Sequence, residues 1–171
     1  MYQAGDTVVY GLEGVCRIEE IAEREFAGER KRYYVLKPVF RDGSTLFLPV
    51  DNPVLTEKMR RTLSAEEIRE LIHCLPEREA VWIDNESARR EACQDVLRSG
   101  DRLRLAGLIK SLYLHQQELK ARKKDLRACD DRVLKEAETL LYEEFAYVLG
   151  LRQEQVIPFI AQQLENRQPL P

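Results

Sequence analysis

The spacing of apolar residues changes character at Pro49 and Pro53. Neither proline can donate a backbone hydrogen bond to a sheet, so together they close whatever sheet precedes them. Upstream, four short runs are rich in β-branched and aromatic residues and predict strands over 7–10, 14–18, 32–36 and 44–48. Turn signals separate them: Gly11-Leu12-Glu13-Gly14, Ala27-Gly28-Glu29 and Arg41-Asp42-Gly43. The last contains Asp-Gly, which accommodates positive φ and predicts a tight hairpin. Downstream, apolar residues recur three and four apart, the period of an amphipathic helix. The chain is therefore expected to be α+β with two domains. Residues 1–57 read as a small SH3-like or Tudor-like β-barrel, 58–165 as an all-α helical bundle, and 166–171 as a frayed tail.

Helix boundaries in the second part follow from capping chemistry. Ser64 and Glu67 have the spacing of a capping box, opening a helix through about residue 73 with Ile68, Leu71 and Ile72 on one face. The next helix should begin near Asp84, bury Ala92, Cys93, Val96 and Leu97, and stop at Ser99-Gly100. Asp101 is placed to cap a helix whose buried stripe is Leu105, Leu108, Ile109, Leu112 and Leu119. Asp130 or Asp131 is expected to cap another, which runs to a glycine stop at Gly150. Pro158 predicts either a kink in the last helix or a helix that begins only at about Ile157.

Charge narrows the function. Residues 1–57 hold 7 of the 27 Lys and Arg and 10 of the 30 Asp and Glu, which leaves residues 58–171 balanced at 20 against 20. A chain of net charge −3 does not coat nucleic acid non-specifically, so any DNA contact must come from a local basic patch. No stretch approaches the roughly 18 apolar residues of a membrane span, and the N-terminus lacks a signal pattern; the chain is expected in the cytoplasm, away from membranes. The four cysteines are widely spaced, without a Cys-x-x-Cys pair, and His73 and His115 are the only histidines, so no metal site is expected. No nucleophile with a base, carboxylate pair or phosphate-cradling loop is legible either. An enzyme is not expected, nor a cofactor; a thiol chemistry on Cys74 or Cys93 is the remaining alternative.

One aromatic residue and two groups of cations stand out. Trp82, the only tryptophan, lies in a short extended stretch between two helices. Two readings are open for it: a half-buried plug of the helix junction, or an exposed wedge that stacks on unpaired bases. Arg89, Arg90 and Arg98 follow it, and Lys120, Arg122, Lys123, Lys124 and Arg127 cluster near the end of the long helix. These are either solvated faces that complement helix dipoles or a phosphate clamp around the wedge.

The order and spacing of several segments resemble the CarD/CdnL family of bacterial transcription regulators. Its N-terminal module is similar to the polymerase-interacting domain of the transcription-repair coupling factor. The resemblance is carried by Gly5-Asp6-Thr7-Val8-Val9-Tyr10, Gly14-Val15, Tyr34-Val35-Leu36-Lys37 and Leu48-Pro49-Val50-Asp51-Asn52. Further along it is carried by Trp82 with its arginines, Ser99-Gly100-Asp101, Leu112-Tyr113, Leu134-Lys135-Glu136-Ala137 and Leu140-Leu141-Tyr142-Glu143-Glu144. The resemblance implies a monomeric, two-ended regulator. Its β domain would bind the RNA polymerase β subunit by an edge that includes Arg24, Glu25, Phe26, Thr45 and Phe47. Its helical domain would bind promoter DNA at a double-strand/single-strand junction, with Trp82 as a minor-groove wedge near the −10 element, stabilising the open complex. Arg89, Arg90, Lys123 and Lys124 would be phosphate ligands. The alternative is an adaptor that binds polymerase without touching DNA.

Overall fold

The computed structural model describes residues 1–166. The expected frayed tail, 166–171, lies outside these apart from Asn166. Two compact units are present, Met1–Thr62 and a second that begins at Leu63.

The first unit is a five-stranded antiparallel sheet in the order β4-β3-β2-β1-β5, with β1 at Thr7–Tyr10, β2 at Gly14–Phe26, β3 at Glu29–Pro38, β4 at Leu46–Pro49 and β5 at Met59–Arg61. Residues pointing to one side of the sheet, Val8, Cys16, Ile18, Tyr34, Leu36, Leu48 and Met59, form its core. Each fully buried aliphatic side chain there contributes about 1.5–3 kcal/mol. The pairing of β2 with β3 slips between Ile18 and Glu20. A bulge of this kind bends a strand and raises its twist, curling the sheet into the expected barrel-like form.

β2 and β3 run much further than their apolar runs predict. Their outer halves pair Glu23 with Arg32 and Glu25 with Arg30, so opposite charges face each other across the ladder. The like-charged pair Arg24 and Lys31 is relieved by carboxylates on the same strands, Glu20 at 2.5 Å and Glu29 respectively. The turn consists of Ala27 and Gly28, both at positive φ (53° and 79°), the signature of a two-residue type I′ hairpin. By contrast, Asp42-Gly43 makes no tight hairpin. β3 ends at Pro38 and β4 begins at Leu46, so those two residues lie within a wider loop.

Past Pro53 the chain makes one short helix, α1 (Pro53–Thr56), capped by the Asn52 side chain, and then returns to the sheet as β5. β5 pairs with β1, placing Val8 opposite Arg61 and Tyr10 opposite Met59. The sheet therefore continues past residue 57.

The second unit packs α2 (Ala65–Cys74), α3 (Glu86–Ser99), α4 (Arg102–Ala121), α5 (Ala128–Leu149) and α6 (Gln153–Glu165), with α5 touching each of the other four. Ser64 and Glu67 form the reciprocal capping box, Asp101 accepts from Leu103 and Arg104 N–H, and Gly100 and Gly150 stop their helices in the left-handed conformation. Helix α5 starts at Ala128, three or four residues earlier than a cap at Asp130 or Asp131 would place it, so both aspartates lie inside its first turn and do not cap it. Acidic side chains there still face the positive end of the helix dipole. Helix α6 starts at Gln153, not at Ile157. Pro158 thus sits within it at an exposed position, where solvent can satisfy the carbonyl it leaves without a helical donor.

Candidate nucleic-acid and partner surfaces

Trp82 sits in the irregular stretch between α2 and α3, and its ring is half-buried. His115, on α4, stacks on it with ring centroids 3.6 Å apart and planes 17° from parallel. The Arg89 guanidinium carbon lies 4.5 Å from the indole centroid, within cation–π range. The ring is thus half-buried at the helix junction, as the first of the two readings has it, and is held by contacts while remaining open to an adjoining cleft of about 330 Å³ lined also by Lys124, Asp125 and Arg127.

Arg89 occupies a place that its sequence position did not reveal. It is only 6% exposed, and its Nε and Nη2 donate to the two carboxylate oxygens of Asp130 at 3.0 and 2.9 Å. Nη1 donates to the carbonyls of Ile83 and Asp84 at 2.8 and 3.2 Å. The hydrogen bonds to Asp130 hold its pKa above the usual guanidinium value, so it stays charged. With its donors turned inward, Arg89 fixes the backbone beside Trp82 and is not presented to a phosphate as expected.

Arg90 is exposed and reaches Glu86 at 3.4 Å. Arg127 also pairs with Glu86, so one carboxylate at the start of α3 serves two cations. Lys123 and Lys124 are exposed on the turn after α4, and neither makes an ion pair among the described residues. Lys124 N–H returns to the Leu119 carbonyl and Lys123 N–H to that of Lys120, a Schellman closure. Lys123 takes the left-handed position that glycine normally fills, with φ 56°. The structure therefore brings Lys124 to the rim of the Trp82 cleft, with Arg127 as a further cation, and keeps Arg90 and Lys123 outside the cleft lining. Sequence reading passed over His115, Glu86 and Asp130 as parts of this site. For His115 a signal existed: Gly107, Ser111 and His115 recur every fourth residue, a stripe of small and polar residues beside the buried one of Leu105, Ile109 and Leu112.

On the sheet, Phe26 and Phe47 come together. Their centroids are 5.5 Å apart, and Phe26 meets the buried Tyr33 edge-on at 5.1 Å. Both phenylalanines are largely exposed, at 46% and 41%. Phe47 belongs to β4, which pairs only with β3 and so leaves one edge of the sheet open. Arg24 and Glu25 lie on the adjoining outer half of β2, and Thr45 is exposed just before β4.

Cys93 is buried, and that burial raises its thiol pKa, while the Cys74 sulfur donates to the Leu71 carbonyl. Among the described residues no three His, Cys, Asp or Glu side chains form a metal-binding group, and no helix is long and apolar enough to cross a membrane.

Comparison with known proteins matches both units. Residues 2–63 match the family model of the CarD-like/TRCF RID domain, and residues 70–161 match that of the CarD C-terminal domain. The chain is 24% identical over 159 residues, 93% of its own length and 99% of the relative's, to a Bacillus subtilis (strain 168) protein named "Putative transcription factor YdeB". With its sheet and its helices each matching one half of the same architecture in the same order, the chain belongs to the CarD-like family of transcription factors.

Proposed function

We propose that this protein binds the β subunit of RNA polymerase through its sheet edge and stabilises the promoter open complex through Trp82. The polymerase contact uses β4 and the outer half of β2: open backbone groups give strand-addition hydrogen bonds, and Phe26 and Phe47 supply an aromatic anchor flanked by Arg24, Glu25 and Thr45. The DNA contact uses the Trp82 ring, with Lys124, Lys123, Arg90 and Arg127 as the phosphate-facing cations and Arg89 as the group that positions the ring. The observation that carries this reading is the half-buried indole: held by His115 and Arg89, it still opens to a cleft with Lys124 on its rim.

The charge around the ring explains why two ends are needed. Asp84 and Asp125 stand beside Lys124 and Arg127, so the cleft has no strong positive field. Binding to free DNA should be weak. Held on polymerase, the same site meets the promoter at high effective concentration, and contacts made only after melting shift the closed-to-open equilibrium. A preference of about 1.4 kcal/mol for the open state changes that ratio tenfold, within reach of one stacked aromatic.

Trp82→Ala is expected to retain polymerase binding and lose most of the effect on open-complex lifetime, measured by competitor challenge. Phe26→Ser with Phe47→Ser should abolish retention on polymerase. The near-balance of charge also favours an adaptor without DNA contact, which predicts an unchanged lifetime for Trp82→Ala.

A further inference from the structure

Residues 75–84 form no helix or strand and are largely exposed, yet they carry the Trp82 ring to a defined place. Irregular backbone loses much conformational freedom when fixed, so such a stretch keeps one pose only where its polar groups are tied. Just after the ring, Arg89 ties the Ile83 and Asp84 carbonyls. At the other end, Lys110 of α4 donates to three carbonyls in succession: Leu75 at 2.8 Å, Pro76 at 3.1 Å and Arg78 at 2.5 Å. An ammonium group has three N–H bonds, so the donor capacity of Lys110 is committed to this stretch.

The neighbouring residues on α4 continue the same contact. Ser111 Oγ accepts from the Val81 N–H at 3.2 Å and donates to the Gly107 carbonyl at 3.0 Å. One turn further, His115 meets the indole face. Lys110 also lies at the carbonyl end of α2, where a cation is favoured by the helix dipole.

We infer that Lys110 is a positioning residue for Trp82, acting through the backbone of 75–81. The inference deepens the promoter reading, since the pose matters to transcription only where Trp82 meets DNA; the pose itself is measurable without DNA. A lysine suits the task because its compact ammonium can converge on carbonyls from three directions, whereas a planar guanidinium fork cannot.

Trp82 is the only tryptophan, so fluorescence of the full-length protein excited at the red edge of indole absorption, beyond the tyrosine band, reads this ring alone. Lys110→Gln is expected to raise acrylamide quenching and shift emission to the red with far-UV circular dichroism unchanged. Lys110→Arg should fall between that variant and the parent protein, and Ser111→Ala should move the same way by less. Parent-like quenching and emission in folded Lys110→Gln would overturn the inference. If Lys110→Gln loses its helical signal, Ser111→Ala decides, and parent-like fluorescence there overturns it equally. Open-complex lifetime separates the two claims: an unchanged lifetime in Trp82→Ala sinks the promoter reading and leaves the fluorescence result to judge Lys110 alone.

Discussion

Arg89 and Asp130, 41 positions apart in the chain, meet as a two-pronged ion pair whose side chains are only 7% and 8% exposed. The pair ties the start of α3 to the first turn of α5, and through the remaining Arg89 nitrogen it holds the chain next to Trp82. A buried charge without its partner is costly, and this fixes the first expectation.

Asp130→Ala should destabilise the helical unit by about 3–5 kcal/mol, because it strands a buried guanidinium. Urea unfolding measures this directly. Replacing both partners by apolar residues, Arg89→Met with Asp130→Leu, should recover most of the loss; a single variant as stable as the parent would show that the pair does not bear on folding.

Glu86→Gln should release Arg90 and Arg127 from their shared carboxylate. Each freed cation that reaches a phosphate steepens the dependence of log K on log salt by about 0.9. Titration of fork-junction DNA bound to the polymerase complex at several salt concentrations is the measurement. An unaltered slope means that neither arginine reaches the DNA backbone.

Lys123→Gly separates a backbone effect from a charge effect. The left-handed conformation of Lys123 costs a side-chain-bearing residue about 1 kcal/mol relative to glycine, so the thermal midpoint should rise. The salt slope should fall by about one at the same time if the ammonium touches a phosphate. A lowered midpoint would mean that the aliphatic stem packs more than the turn strains.

Tyr142 supplies a pH dependence. Burial, with Glu138 adding to it, pushes its phenol up to about 12. The unfolded chain loses this proton near pH 10 and the folded one does not, so stability is complete below pH 10 and falls as pH rises toward 12. The loss should be of the order of 2–3 kcal/mol and should vanish in Tyr142→Phe, as judged by urea midpoints across that range. Spectrophotometric titration should show Tyr142 ionising late among the seven tyrosines, with Tyr10, which burial also raises, delayed as well.

Features fixed by near neighbours were legible before any coordinates. Ser64 with Glu67, Asp101, Gly100 and Gly150 each act within one helical turn, and each performs the role its residue type suggests. Pairings between distant residues were not legible. Met59-Arg60-Arg61 has no β-branched residue, and becomes a strand because β1 offers it an open edge. The charged outer half of β2 reads as loop until Arg32 and Arg30 stand opposite Glu23 and Glu25. Asp130, like Asp131, reads as a cap because nothing local announces an arginine 41 positions away. The candidate site shows the same division. Trp82 and the nearby cations are conspicuous by type, whereas the inward turn of Arg89 and the place of Lys124 on the rim of the cleft depend on how α3, α4 and α5 meet.

The contacts of α4 with the Trp82 stretch also say where the family cannot change length. A single residue inserted between Lys110 and His115 would swing every later side chain by about 100° around the helix axis and advance it by about 1.5 Å. The imidazole would then leave the indole while the ammonium stayed with its carbonyls. Insertions and deletions should therefore be excluded from this part of α4 in relatives that keep the tryptophan.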